Sequence, residues 1–423
     1  MIIAILAIIL VLLALSGEPL FIVIAAAAIL GFYANDVDLS VIAIEIYRLT
    51  ETPLLIALPL FTFAGYLLSE SETSHRLVRL SRCLLGWLPG ELVFVTLISS
   101  ALFTAFTGAT GVTIVALGAL LYPALKEIGY PKNFNLGLVT SAGSLGLLLP
   151  PSLPLILYVV VAQQLNLGVP ISITQVFLAG ILPTLLMLLM LGGWGLWATR
   201  KTRIPKIEFN AQEAWSALKE AKWELPLPFF VLGGIYGGVF AVSEAAAVTA
   251  LYVLVIQLLF YREIKFTDLP RIMKESMTIV GGILLILGVS LAFTNFLVDA
   301  EVPGALFEWI QTTISSRYTF LALLNIVLLI LGAFLDIFSA LVIMVPLILP
   351  VAMRYGIDPV HLGIVFLANM QLGYLTPPVG INLFISSYRF EKPVEVIYRS
   401  TLPFLLLLLL SVIIITYLPF LYY

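Results

Sequence analysis

Charge is scarce in this chain: 11% of its residues are Asp, Glu, Lys or Arg, where a soluble domain carries about a quarter. With 61% hydrophobic residues and a mean hydropathy of +1.12, that shortage excludes a soluble enzyme. Cysteine is reduced to Cys83, which rules out an intramolecular disulfide, and the two histidines, His75 and His361, have no metal-ligand spacing. The net charge is −3 and the basic residues are scattered between apolar runs, so no nucleic-acid partner is expected. The N-terminus lacks the basic segment and small-residue site of a cleaved leader, and a retained first span is expected there.

What the chain has in quantity is long apolar runs. Candidate spans cover 2–15, 19–34, 53–69, 134–162, 172–199, 225–240, 242–261, 277–299, 360–386 and 400–422. Two further stretches, 92–125 and 319–350, are about one and a half spans long. Each has small or polar residues in its middle, Phe106-Thr107-Gly108-Ala109-Thr110-Gly111 and Gly332-Ala333-Phe334-Leu335-Asp336. Both suit a helical hairpin that enters and leaves on one side. The expected fold is an all-α polytopic membrane protein of ten spans and two re-entrant hairpins. With both termini outside, only Arg48, Arg317 and Arg354 fall outside and every other Lys and Arg falls in the cytoplasm. Turning either hairpin into a single crossing would reverse all later loops and destroy that bias. The connecting segment Asn210 to Glu224 reads as an amphipathic helix at the interface, with Asn210 as N-cap and Trp215, Leu218 and Trp223 as its apolar stripe.

The sequence repeats itself. Pro123, Gly129, Leu145, Gly146, Pro150 and Pro151 recur as Pro350, Gly356, Leu372, Gly373, Pro377 and Pro378, at a constant separation of 227 residues. In the topology above the two copies run in opposite directions, so they are inverted repeats, a hallmark of secondary transporters with binding sites near the membrane midplane. The expected organisation is N-terminal scaffold spans and arm over 1–52 and a first repeat over 53–199, with broken helix 134–162. A linker with scaffold spans and arm follows over 200–276, and a second repeat over 277–423, with broken helix 360–386.

Pro150-Pro151 and Pro377-Pro378 must break their spans, because proline lacks an N–H and collides with the preceding turn. The freed carbonyls are costly in lipid unless protein, water or a cation satisfies them, and a hard cation such as sodium suits several oxygens. Candidate cation residues are Thr107, Gly108, Thr110, Gly143, Ser144 and Gly146 in the first half. In the second they are Gly332, Asp336, Ser339, Gln371, Gly373 and Thr376. Asp336 is the only carboxylate inside either hairpin and at that depth needs a partner, for which a coupling ion is the candidate. Glu244 begins a span and is expected to serve the helix dipole there. Thr110, Gly111, Ser141, Asn369 and Asn382 are the candidate solute contacts. No Lys or Arg lies in the hairpins or at the breaks, so an anion would be held by helix N-termini, hydroxyls, amides and bound cations.

Three segments carry a family resemblance: Gly143-Ser-Leu-Gly-Leu-Leu-Leu-Pro-Pro-Ser-Leu-Pro, Tyr236-Gly-Gly-Val-Phe-Ala-Val-Ser-Glu-Ala-Ala-Ala-Val, and Gly332-Ala-Phe-Leu-Asp with Gly373-Tyr-Leu-Thr-Pro-Pro-Val-Gly-Ile-Asn-Leu-Phe. Over nearly its whole length the chain resembles the large membrane subunit of tripartite ATP-independent periplasmic (TRAP) transporters. It departs from that pattern at Thr107 to Gly111, where a Ser-rich tip is usual, and at Ala241-Val242-Ser243, where Thr-Pro-Thr is usual. The resemblance implies a sodium-driven, elevator-type importer of carboxylate-bearing solutes in the bacterial inner membrane. It also implies two partners, a separate small four-helix membrane subunit and a periplasmic substrate-binding protein. The competing readings are a stand-alone sodium-coupled anion carrier, a passive channel, and a membrane-embedded enzyme. For the last, no His lies near Ser141 or Ser339, and Asp336 has no carboxylate partner in a neighbouring span.

Overall fold

Backbone in a hydrocarbon layer has to satisfy its own hydrogen bonds, and a chain this apolar meets that demand with helices. A computed structural model describes residues 13, 18–35, 37–85, 90–165, 167–168, 170–200, 210–314 and 316–418, and every regular element among them is helical. The expected span 2–15 lies outside the described residues except for Leu13, as do the linker cations Lys201, Arg203 and Lys206.

The chain opens with α1 (Leu20–Ala34), the short arm α2 (Ser40–Arg48) and α3 (Ala57–Ser69). The amphipathic α4 (Thr73–Leu85) leads into the first hairpin, α5 (Glu91–Thr107) and α6 (Thr110–Ile128), joined by two residues. The first broken span follows as α7 (Lys132–Ala142), a tight turn at Leu145–Leu148, and α8 (Leu153–Gln164), and α9 (Ile173–Thr199) closes the half. The middle of the chain holds α10 (Ala211–Glu220), α11 (Pro226–Tyr236) and α12 (Val242–Val255), the last extended by a π-turn at Ile256–Phe260. The second half is α13 (Leu269–Asp299), α14 (Val302–Thr313), the hairpin α15 (Arg317–Phe334) and α16 (Ile337–Arg354), the broken span α17 (Pro359–Gly373) and α18 (Ile381–Phe390), and α19 (Val394–Tyr417).

Several expected boundaries move. The expected span 225–240 is helical only to Tyr236, and the span expected from 277 begins at Leu269, because Pro270 fits a first helical turn. The last span begins at Val394 rather than 400, again just after a proline, Pro393, and is helical to Tyr417, while residues 419–422 of the expected span lie outside the described residues. The broken span expected at 360–386 runs to Phe390 and ends where Glu391 turns left-handed. Asn210 caps α10 as expected, its Oδ1 accepting from the N–H groups of Gln212 and Glu213. The face α10 buries in the protein is Ala214 and Ala217, while Trp215 and Leu218 point outward. Glu244 plays its expected structural part, its Oε2 accepting from the Ala241 N–H at 2.8 Å.

The repeat extends well beyond the residues that reveal it. Added to the first hairpin, the 227-residue separation puts Thr107 on Phe334 and Thr110 on Ile337, the two ends of the second hairpin's turn. The packing is reciprocal: α18 of the second half lies against α6, and α8 of the first half lies against α16. Reciprocity of this kind is the mark of a two-fold relation.

The two-fold is inverted. At one end of α13, Arg271 pairs with Glu70 at the end of α3, next to the base of the first hairpin. At the other end, about 40 Å away along a 31-residue helix, Val298 shares a cavity with Gln164 and precedes α14 and the base of the second hairpin. The hairpins therefore enter from opposite ends. The first tip reaches the middle of α3, where a Cβ on Gly65 would stand 2.7 Å from the Thr107 Cα.

A buried ion network ties the middle of the chain to the first half. Arg76 on α4 donates to Glu224 through Nε at 2.6 Å and to both oxygens of Glu263, and its guanidinium lies 3.9 Å from the centre of the Tyr261 ring. Burial works against the Arg76 charge, but the hydrogen bonds and charges of Glu263 and Glu224 outweigh it and hold its pKa above the ordinary value. Removing the cation leaves Glu224 buried and without a counter-charge. Arg76→Met is therefore expected to destabilise the folded protein by about 3–5 kcal/mol, measured by chemical unfolding in micelles. An unchanged unfolding midpoint would show that the network contributes nothing to stability.

Candidate functional site

The site is built where each hairpin tip meets the break of its own half. In the first half, Thr104 on α5 bonds Thr113 on α6, Oγ1 to Oγ1 at 2.7 Å, and donates to the Gly143 carbonyl at 2.9 Å. A Cβ on Gly146 would lie 2.5 Å from the Ala105 nitrogen and closer still to the Ala101 carbonyl oxygen, so backbone rests on backbone. The second half repeats the device 227 residues on: a Cβ on Gly373 would lie 2.5 Å from the Cα of Gly332. Both diproline bonds, Pro150-Pro151 and Pro377-Pro378, are cis, and each sits in the turn after its contact.

Residues nominated from sequence take up distinct places. Thr107 ends α5, buried, and its Oγ1 accepts weakly from the Ala109 N–H at 3.5 Å. Gly108 turns the chain with φ of 65°, Thr110 begins α6 and is buried, and Gly111 packs against Ile385 of α18. Ser144 donates weakly to the Ser141 carbonyl, at 3.5 Å, whereas the buried Ser141 hydroxyl has no hydrogen bond. In the second half, the Asp336 Oδ1 accepts from the N–H groups of Phe338 and Ser339, both at 3.0 Å, and its Oδ2 accepts from the Ser339 hydroxyl. Thr376 donates to the Leu372 carbonyl.

Two nominated residues turn away from the second tip. Asn369 donates to Asn325 Oδ1 at 2.5 Å, within a buried group completed by Thr416, and Gln371 donates to the Met187 sulfur at 3.4 Å. Residues that were not nominated make the ties instead. Within the second half Tyr374 accepts the Ile337 N–H and Gly380 donates to the Ala333 carbonyl at 3.1 Å, tying break to hairpin, and Thr140 donates to Ser386 at 2.8 Å, the one of these bonds that joins the two halves. One turn before Ser386, Asn382 is fully buried, and neither its amide nitrogen nor its oxygen has a hydrogen-bond partner. Thr113 is expected from the sequence as an oxygen of the first tip, and Thr104, which was not, was detectable in principle as a hydroxyl flanking a Gly-containing tip in an apolar run.

The helix ends set the electrostatics. α6, α8, α16 and α18 all begin at this level, presenting the positive ends of their dipoles, and α5, α7, α15 and α17 end there, presenting the negative ends. Asp336 supplies its own negative charge to the start of α16. The matching position in the first half is Ala109, and α6 starts without any side-chain cap. One N-terminus is thus neutralised from within and its counterpart is left open.

Inverted repeats, paired hairpins and broken spans define a multi-pass membrane transporter of the secondary type. Residues 5–421 match the family described as "Tripartite ATP-independent periplasmic transporter, DctM component", and the chain belongs to that family. Among its relatives, the C4-dicarboxylate TRAP transporter large permease protein DctM of Rhodobacter capsulatus is 32% identical over 418 residues, covering 96% of this chain and 94% of that protein. The ectoine/5-hydroxyectoine TRAP transporter large permease protein UehC of Ruegeria pomeroyi is 30% identical, covering 93% and 92%. These relatives are named as permeases, not enzymes. The crystal structure of the YdaH transporter of Alcanivorax borkumensis shares the fold with a TM-score of 0.60 at 17% identity, covering 87% of this chain and 85% of that one.

Proposed function

We propose that this chain is the large membrane subunit of a sodium-driven importer of a carboxylate-bearing organic solute, working by an elevator movement. The observation that carries this reading is the unlike capping of matched helices: Asp336 fills the N-terminus of α16, while Ala109 leaves that of α6 open. A solute carboxylate is the natural occupant of the open end, since backbone N–H groups and the helix dipole both favour an anion there. The buried and unpartnered Asn382 and Ser141, on elements that pack beside α6, supply donors and acceptors for the rest of the solute. The carbonyl ends of α5 and α7, with Thr104 and Thr113, suit sodium in the first half, and Asp336 with Ser339 does so in the second. The core that moves is the two hairpins with the two broken spans, and the remaining spans form the scaffold.

Solute delivery falls to a periplasmic substrate-binding protein, and a separate small four-helix membrane subunit completes the scaffold, as the tripartite family name supports. The family supports a place in the bacterial inner membrane, and the bias of Lys and Arg toward one set of loops favours both termini on the periplasmic side. The test is uptake of labelled C4-dicarboxylate, sialic acid and ectoine into proteoliposomes holding the chain and its small subunit. Uptake that needs both a sodium gradient and the binding protein is the expected result. Sodium-driven uptake without the binding protein would make the chain a stand-alone carrier instead. Asn382→Ala is expected to lower uptake at least about tenfold, the scale of one lost hydrogen bond to a charged group, with the expression level unchanged. Full uptake by this variant would remove Asn382 from the site.

A further inference from the structure

A polar cavity of about 330 Å³ lies away from the hairpin tips and is lined by none of the residues proposed above to hold solute or sodium. It sits between the arm α2, the end of α8, the helix α13 and the hairpin arm α16. In the topology proposed above, it belongs to the outer half of the membrane, the side from which solute arrives.

One wall is unusual for a helix in this protein. Thr62, Thr96, Thr184, Thr249 and Thr401 each donate to the carbonyl four residues earlier, the ordinary way to satisfy a hydroxyl at such depth. Ser290 on α13 does not: it is 2% exposed, lines the cavity, and its hydroxyl has no partner. One turn on, Thr294 and Asn295 also line the cavity, and neither makes a side-chain hydrogen bond among the described residues. Three successive polar groups on one face are thus left for something in the cavity.

The opposite wall sets the charge. Arg48 reaches both oxygens of the buried Glu45 from one nitrogen, at a long 3.3 Å, which leaves most of its donor fork unused. Glu51 also lines the cavity and is exposed. The three side chains sum to one negative charge. A carboxylate on the Arg48 fork is favoured, a second carboxylate is repelled by Glu51 and Glu45, and a cationic group on the same molecule is drawn to them.

We infer that this cavity is an outer subsite for a small zwitterionic carboxylate, held by Arg48 at its carboxylate and by Ser290, Thr294 and Asn295 along its body. The inference rests on the transport reading and extends it to a charge class of solute.

The test reads the cavity itself. Val298 lines it and is 51% exposed, so Val298→Cys in a Cys83→Ser background places one thiol at the cavity for labelling by a charged maleimide. Three four-carbon probes isolate charge: 4-aminobutyrate, butyrate and succinate. The expected result is that saturating 4-aminobutyrate slows labelling about tenfold, butyrate protects less, and succinate needs at least about tenfold higher concentration. Protection is expected to vanish in Arg48→Gln, return partly in Arg48→Lys, and persist in Asn382→Ala, which impairs the inner site. Elution of each variant as a single species in size-exclusion chromatography excludes misfolding as the cause. No labelling, no protection by 4-aminobutyrate, or equal protection by succinate would overturn the inference while sodium-driven uptake stands. Protection without uptake of any solute would instead sink the transport reading.

Discussion

Gly146→Ala is expected to reduce uptake to background. The added methyl would stand 2.5 Å from the Ala105 nitrogen and nearer still to the Ala101 carbonyl, and neither is a side chain able to rotate away. Relief requires α5 to move off the break, which displaces the Gly143 carbonyl from Thr104 and disturbs the tip proposed above to hold solute and ion. Overpacking of this kind costs about 1–3 kcal/mol even where side chains yield, and more against backbone. Gly373→Ala meets Gly332 in the same way and is expected to match it. The control is Gly193→Ala on α9, where a Cβ has nothing within 4 Å and a helical alanine is favoured over glycine by about 1 kcal/mol. Uptake by all three variants in proteoliposomes, with protein amount checked by quantitative blot, decides the matter. Normal transport by Gly146→Ala would mean that the hairpin and break need not touch.

The pairing behind that expectation was legible in the sequence only at its skeleton. Gly and Pro at a fixed separation mark where a chain must turn or approach closely, and those constraints survive in an apolar background that erases most others. The glycines Gly146 and Gly373, the double prolines and both hairpin turns were all within reach of that signal. Side-chain direction was not. Every residue of α17 from His361 to Gly373 is buried, so the helix has no polar face to betray which way Asn369 or Gln371 points. The structure turns both away from the second tip, and the reason lies in partners distant in sequence, Asn325, Thr416 and Met187. The stripe expected on α10 for the interface points out of the protein, and the face that α10 buries is a different one. In a membrane protein an apolar face has two destinations, protein or lipid, and the small Ala214 and Ala217 admit close helix packing while Trp215 and Leu218 do not.

Asp336→Asn separates the helix cap that the Asp336 carboxylate forms from the cation role proposed for it above. As a cap, asparagine is as good as aspartate, because its one oxygen can still accept from the Phe338 and Ser339 N–H groups. The fold should therefore stay within about 0.5 kcal/mol of the parent, whereas Asp336→Ala gives up both bonds and should lose about 1 kcal/mol. The charge is another matter. A carboxylate offers about four lone-pair positions and Asp336 uses three of them on the chain, leaving one for a cation between the hairpin and its break. Neutralising it removes an attraction that, a few Å from a sodium ion and partly shielded by protein, is worth several kcal/mol before desolvation is subtracted. The expected outcome is a fall in uptake of about a hundredfold at low sodium, partly recovered as sodium is raised, with the unfolding midpoint nearly unchanged. Asp336→Ala should show the same transport defect together with the lower midpoint. Loss of transport in proportion to loss of stability across the two variants would reduce Asp336 to a helix cap and move the coupling ion to the first half, where Thr104, Thr113 and the Gly143 carbonyl already meet.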